Sequence, residues 1–147
     1  MKLAFKNILL ALIILLADQL IKYYVHHKIS VDFVLAKFIN NELNYNLALS
    51  LPSTISLAII VNVIGIVAIL YLLAYNPNQS IKKYLAIILG AGTSNLIDRL
   101  IHGGVIDYIN FFNISTINLA DIMIVIAIIL IFISERKQVS LTKDSVK

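Results

Sequence analysis

Four stretches of this chain are apolar for long enough to cross a lipid bilayer, and nothing else in the sequence limits the fold as strongly. A hydrocarbon core about 30 Å thick takes roughly 20 helical residues to span. Runs of about that length occupy residues 3–25, 55–75, 84–100 and 117–134, with short polar stretches between them. Inside lipid, backbone N–H and C=O groups find no water, so such runs fold as helices that satisfy their own hydrogen bonds. Composition agrees: 60% of the 147 residues are hydrophobic and 14% are charged, against roughly 25% charged in an ordinary soluble domain. A core of this size cannot hide that much apolar surface from water, which excludes a soluble enzyme. The chain has no cysteine, which excludes disulfide frameworks, thiol nucleophiles and thiolate metal sites.

Asn76-Pro77-Asn78-Gln79-Ser80 predicts a tight hairpin between the second and third spans, because its proline cannot continue a helix. Lys2 and Lys6 precede the first apolar run as they would in a secretory signal. No small-x-small cleavage pattern follows, and the segment continues through Asp18, Gln19 and Lys22, so it reads as a retained span. Lys2, Lys6, Lys82, Lys83, Arg136, Lys137, Lys143 and Lys147 fall on one side of the spans, and Lys22, Lys28, Lys37 and Arg99 on the other. The side richer in cations is cytoplasmic, so both termini are expected inside. The net charge of +4 thus has an orienting use, and its dispersion offers no patch for nucleic acid.

In the first outer connection, 26–52, the run 31–39 is β-prone and Asn40-Asn41 could turn it back on itself. The second carries Gly103-Gly104 at a turn, then Val105-Ile106-Asp107-Tyr108-Ile109, then Phe111 and Phe112, aromatics suited to an interface. The expected fold is an all-α membrane protein of one domain, 1–147. It has four transmembrane helices, a small β-rich extracytoplasmic element at the outer membrane surface, and a loose polar cytoplasmic tail over 135–147.

Of the eight acidic residues, Asp18, Asp98, Asp107 and Asp121 lie within or at the ends of apolar segments. A charge at a helix centre there costs about 2.5 to 3.5 kcal/mol on insertion scales. With the termini inside, all four fall near the outer ends of their helices or in the outer connection, so they converge on one layer. Each has polar company: Asp18 and Lys22 are one turn apart, Asn95 and Asp98 share a face with Arg99 beside them, and Asn118 and Asp121 share a face. Polar residues also pair simply to fasten helices. Four acids against two nearby cations exceed that need and leave carboxylates that must share protons or bind something.

The remaining polar residues have plainer readings. His26, His27 and His102 lack a metal-ligand spacing and read as interfacial residues, so neither a metal nor a cofactor is expected. Asn62 reads as an interhelical hydrogen bond, and Gly90, Gly92 and Ser94 as a surface for close helix approach. A nucleophilic Ser50 or Ser94 working with Lys22 is conceivable, but Asp18 explains Lys22 better.

Two carboxylates within hydrogen-bond reach cannot both ionise, so one proton is held between them. The ionised member can then take a proton from water while the protonated member polarises a carbonyl, the acid–base chemistry of aspartic proteases. Spacing alone does not choose among the six possible pairs. Asp18 and Asp98 each have a cation close by, which favours a structural role, whereas Asp107 and Asp121 have none in sequence and are the freer pair. Two other classes of function use the same residues. A proton- or cation-coupled carrier would place its acids nearer the bilayer midplane, and a scaffold would use them only to fasten helices.

Asn95-Leu96-Ile97-Asp98-Arg99, followed by Gly103-Gly104-Val105-Ile106-Asp107-Tyr108, resembles the N-L-x-D-R…G-x-V-x-D-[FY] signature of the lipoprotein signal peptidase family, signal peptidase II. Asn118-Leu119-Ala120-Asp121 is similar to its N-x-A-D signature, and Asp18-Gln19-Leu20-Ile21-Lys22 to its D-Q-x-x-K. The order, spacing and four-span layout match over nearly the whole chain. The resemblance implies a membrane aspartic endopeptidase of the bacterial inner membrane that cuts lipobox prolipoproteins just before the lipid-modified cysteine; a monomer with membrane lipid around it is expected. It implies Asp107 and Asp121 as the catalytic pair, and Asn95, Asp98, Arg99 and Asn118 as their supporting shell. Asp18 and Lys22 become a motif of the first helix, and Asn44 a polar contact for the substrate backbone. Two positions depart from the family pattern: Asn46 stands where a glycine is usual, and Leu49 where an aromatic is usual.

Overall fold

The computed structural model describes residues 2–28, 39–45, 54–111 and 115–144. Four helices, α1 (Lys2–Lys28), α2 (Ile55–Tyr75), α3 (Gln79–His102) and α4 (Leu119–Asp144), are joined to three strands, β1 (Ile39–Asn44), β2 (Val105–Phe111) and β3 (Ser115–Ile117). α3 is the hub, with α1, α2 and α4 each packed along it. Small residues make this possible. Ala86, Gly90, Ala91 and Ser94 are all buried on α3, and a Cβ at Gly90 would run into the backbone carbonyl of Ala11 on α1.

The polarity of the molecule is inverted relative to a soluble protein. Its largest fully buried side chains, among the described residues, are Lys22, Asn118, Asp18, Asp98, Asp107 and Ser94. Its exposed surface carries Leu57, Ile60, Ile64, Val67 and Tyr71 on α2, where Ala58 alone is buried. Water would penalise that surface, and lipid does not. Among the described residues three helical segments, Phe5–His27, Ile55–Tyr75 and Gln79–His102, are long and apolar enough to cross a membrane. The apolar run of α4 is shorter, held between Asp121 and Glu135-Arg136-Lys137, so three of the four expected spans meet that standard.

Helix ends differ from the expected bounds for local reasons. The third span was expected over 84–100, but α3 starts at Gln79 because the Asn78 side chain accepts from the Ser80 and Ile81 amides at 2.8 and 3.4 Å. The hairpin is correspondingly tight: the Asn76 side chain accepts from the Asn78 amide at 2.8 Å, and its own amide donates to the Leu72 carbonyl at 2.9 Å. α4 begins at Leu119 rather than 117, since Ile117 belongs to β3. It then runs to Asp144, through the segment expected to be a loose tail.

The strands form one antiparallel sheet in the order β1-β2-β3. Asn40 and Asn41, expected to turn a hairpin, instead lie within β1, which pairs with β2 in the register Glu42 to Asp107 and Asn44 to Val105. The β-prone residues 31–38 fall outside the described residues. α3 passes into β2 through Gly103, whose φ of 74° ends the helix in the left-handed region. At Gly104 a Cβ would sit 3.1 Å from the Asn44 carbonyl, so glycine lets β1 close against the start of β2.

Candidate active site

The site is built where the C-terminal ends of α1 and α3 and the N-terminal end of α4 meet the sheet. Asp18 and Lys22, one turn apart on α1, pair at 2.7 Å. The Lys22 ammonium also meets Asp98 at 2.8 Å and donates to Asn95 Oδ1 at 2.8 Å. One buried cation thus joins two carboxylates from different helices. Adjacency in sequence suggested Arg99 as the partner of Asp98, but neighbours on a helix point about 100° apart, and the Arg99 guanidinium donates to its own Asn95 carbonyl at 3.2 Å. Asp98 also accepts from Gln19 Nε2 at 2.8 Å and from the Ile106 amide at 3.2 Å, which fixes the start of β2 to α3.

Ser94, on the small-residue face of α3, donates to Asp18 Oδ2 at 2.6 Å and accepts from Gln19 Nε2 at 2.9 Å. Its hydroxyl is therefore given to Asp18, which leaves it a structural partner in the ion network. Ser50 lies outside the described residues. His26 rests 5.0 Å from His27 and 5.8 Å from His102 between ring centroids, a cluster at the C-terminal ends of α1 and α3. Among the described residues no three His, Cys, Asp or Glu side chains are placed to hold a metal ion.

The first turn of α4 is held from three directions. A helix start leaves its amides without intrahelical partners, and here Leu119 N donates to the Tyr108 hydroxyl at 3.2 Å, Ala120 N to Asp18 Oδ1 at 3.0 Å, and Asp121 N to Asn118 Oδ1 at 2.9 Å. Asp121 reaches back to the Asn118 amide at 3.4 Å, completing a reciprocal cap. Acceptors from β2, α1 and the capping residue together fix where the Asp121 carboxylate stands.

Asp107 and Asp121 hang on the same pair of amides. Asn118 Nδ2 donates to Asp107 Oδ1 at 2.7 Å and to Asn95 Oδ1 at 3.2 Å, while Asn95 Nδ2 donates to Asp121 Oδ1 at 3.0 Å. Asn44, at the end of β1, donates to Asp107 Oδ2 at 2.9 Å. Asp107 is 2% exposed, and that burial pushes its carboxyl up to about 6. The Asn44 and Asn118 hydrogen bonds pull it down, and the charge of Asp121 pushes it further up. The Tyr108 phenol, beside them in β2, is pushed up to about 12 by burial and stays protonated.

Every site residue singled out in the sequence, Asp18, Lys22, Asn44, Asn95, Asp98, Arg99, Asp107, Asn118 and Asp121, falls in this one cluster. Gln19, Ser94 and Tyr108 had no such role assigned. Each had left a trace: Gln19 and Tyr108 stand within the quoted motifs, and Ser94 was weighed as a nucleophile and as a small residue for close helix approach.

Residues 10–136 match the family model described as signal peptidase (SPase) II. A lipoprotein signal peptidase of Wolinella succinogenes is 45% identical over 42% of this chain and 46% of its own length, and one of Campylobacter jejuni is 37% identical over 49% and 50%. The chain spans about half the length of these relatives. For the lipoprotein signal peptidase of Helicobacter pylori the identity is 29%, over 73% of this chain and 71% of that one. A bacterial membrane enzyme solved by the in meso method at 2.3 Å superposes with a TM-score of 0.79 and 25% identity, covering 92% of this chain and 90% of that one. With a family model matched over most of its length, the chain belongs to the signal peptidase II family.

Proposed function

We propose that this protein is a membrane aspartic endopeptidase that removes signal peptides from diacylglyceryl-modified prolipoproteins, cutting before the lipidated cysteine. The observation that carries the reading is the placement of Asp107 and Asp121 on one shared pair of amides, Asn118 and Asn95, while the Lys22 cation is taken up by Asp18 and Asp98. The charge of Asp121 acts on Asp107, and on this reading the two carboxylates titrate as a pair that holds one proton. The ionised member removes a proton from water, whose oxygen attacks the scissile carbonyl carbon, while the protonated member gives its proton to the carbonyl oxygen. Collapse of the tetrahedral intermediate breaks the C–N bond, and a proton from the dyad goes to the departing amine. On this reading Asn44 touches the substrate backbone, and Asn95, Asn118 and Arg99 support the dyad.

The remaining assignments belong to the same reading. All four helices cross the bacterial cytoplasmic membrane, both termini are cytoplasmic, and the site opens to the extracytoplasmic face. The diacylglyceryl tail stays in lipid and the signal helix lies beside the spans, so hydrophobic matching brings the scissile bond to the height of the acids. The protein works as a monomer with membrane lipid around it. The carboxylates gather where helix ends meet the sheet, which supports a peptidase over a carrier with acids at the midplane.

The test is to reconstitute the protein in liposomes with a diacylglyceryl-modified prolipoprotein and to read the products by mass. The reading predicts a single cut on the amino side of the lipidated cysteine. An intact substrate, or a cut elsewhere in the signal peptide, would contradict it.

A further inference from the structure

α2 has the least to hold it in place. It packs against α3, and its other faces are apolar and exposed. Asn62 is the one amide within this span, and its side chain meets the Gly92 carbonyl and the Arg99 guanidinium. A guanidinium only donates and a carbonyl only accepts, so the partners fix which way the amide faces. Asn62 Oδ1 accepts from Arg99 Nη1 at 2.9 Å, and its NH2 donates to the Gly92 carbonyl at 3.2 Å. The same Arg99 Nη1 donates to the Asn95 carbonyl at 3.2 Å, and the Asn95 side chain holds Asp121 Oδ1 at 3.0 Å. A continuous polar path therefore runs from a lipid-facing helix to the edge of the dyad, through a guanidinium that is 9% exposed.

We propose that Asn62 is a positioning residue, which orients the Arg99 guanidinium beside the Asp107 and Asp121 pair in addition to joining α2 to α3. The proposal rests on the peptidase reading. Arginine has a long side chain with many rotamers, and its planar fork sets direction only when its nitrogens are anchored. Asn62 anchors one of them from α2. Leucine at this position would fill a similar volume and suit the lipid better, so the fastening of α2 does not require an amide, whereas the orientation of Arg99 does.

The experiment compares wild type, Asn62→Leu, Asn62→Gln, Arg99→Lys and the Asn62→Leu/Arg99→Lys double variant, as full chains in liposomes with the diacylglyceryl-modified substrate. Rates are scaled to folded protein and thermal unfolding is measured alongside. The expected result for Asn62→Leu is a kcat lowered roughly tenfold with little change in KM, since misplacing a positioned group costs rate before it costs binding. Its unfolding temperature stays at or above that of wild type. Asn62→Gln keeps an acceptor for Arg99 and recovers most of the lost rate. In the Arg99→Lys background, Asn62→Leu brings no further loss, because the two residues act through one interaction. Turnover of Asn62→Leu at the wild-type rate, or an equal loss with and without Arg99, would overturn the proposal. If the wild type leaves the substrate uncut, the peptidase reading itself fails and the proposal goes with it; a cutting wild type with an unaffected Asn62→Leu sinks the proposal alone.

Discussion

Lys22 is the residue on which the polar interior balances. One ammonium answers Asp18 and Asp98 at 2.7 and 2.8 Å, with all three side chains at most 1% exposed. Removing a single partner from a buried ion network strands the remaining charges, at a cost of about 3–5 kcal/mol. Lys22→Met should therefore lower the unfolding temperature sharply, and adding Asp98→Asn should recover part of the loss, as read by thermal unfolding in detergent. Asp107 makes a second prediction. Its folded carboxyl sits at about 6, above the ordinary value near 4, so between those values the folded state keeps a proton that the unfolded chain has lost. Stability from this group is full below about pH 4 and falls as pH rises through about 6, and Asp107→Asn should flatten that slope. Asp107 and Asp121 stood out in the sequence because neither has a cation nearby along the chain, although folding brings the Arg99 guanidinium near both. The partner of Asp98 was not, because the ion pair crosses from α1 and only packing brings Lys22 there.

At the scale of elements, the start of α4 and the face of α3 decide the geometry. Tyr108, Asp18 and Asn118 each accept one amide of the first turn of α4. Tyr108→Phe keeps the ring and strips Leu119 N of its acceptor, so amide exchange at Leu119 and Ala120 should accelerate while the rest of α4 stays protected. Gly90 admits the backbone of Ala11, and Gly90→Leu should push α1 away from α3, parting Lys22 from Asp98 and destabilising the fold by more than about 2 kcal/mol. The long helices were readable from their apolar runs. Their ends depended on single capping residues such as Asn78 and Asn118, and the three-residue β3 is too short to leave a pattern. Strand β1 was misread because Asn40-Asn41 has turn chemistry, which the strand takes up as a shift of register between Ile39 and Glu42 rather than as a turn.

For the whole molecule, polar residues inside and apolar residues outside mean that the bilayer is the solvent of the fold. The absence of native cysteine makes orientation easy to test. Lys137→Cys should react with an impermeant maleimide only after the membrane is opened, and Tyr45→Cys should react from the outside. Labelling of both from one side would mean that α4 does not cross.

The central claim concerns the dyad, and the most direct measurement is turnover of a diacylglyceryl-modified prolipoprotein in liposomes by wild type, Asp107→Asn and Asp121→Asn. The account predicts that each substitution alone lowers turnover by at least about a hundredfold, the scale of lost general acid–base catalysis, while the folded fraction is kept. Cleavage near the wild-type rate by either variant would contradict it.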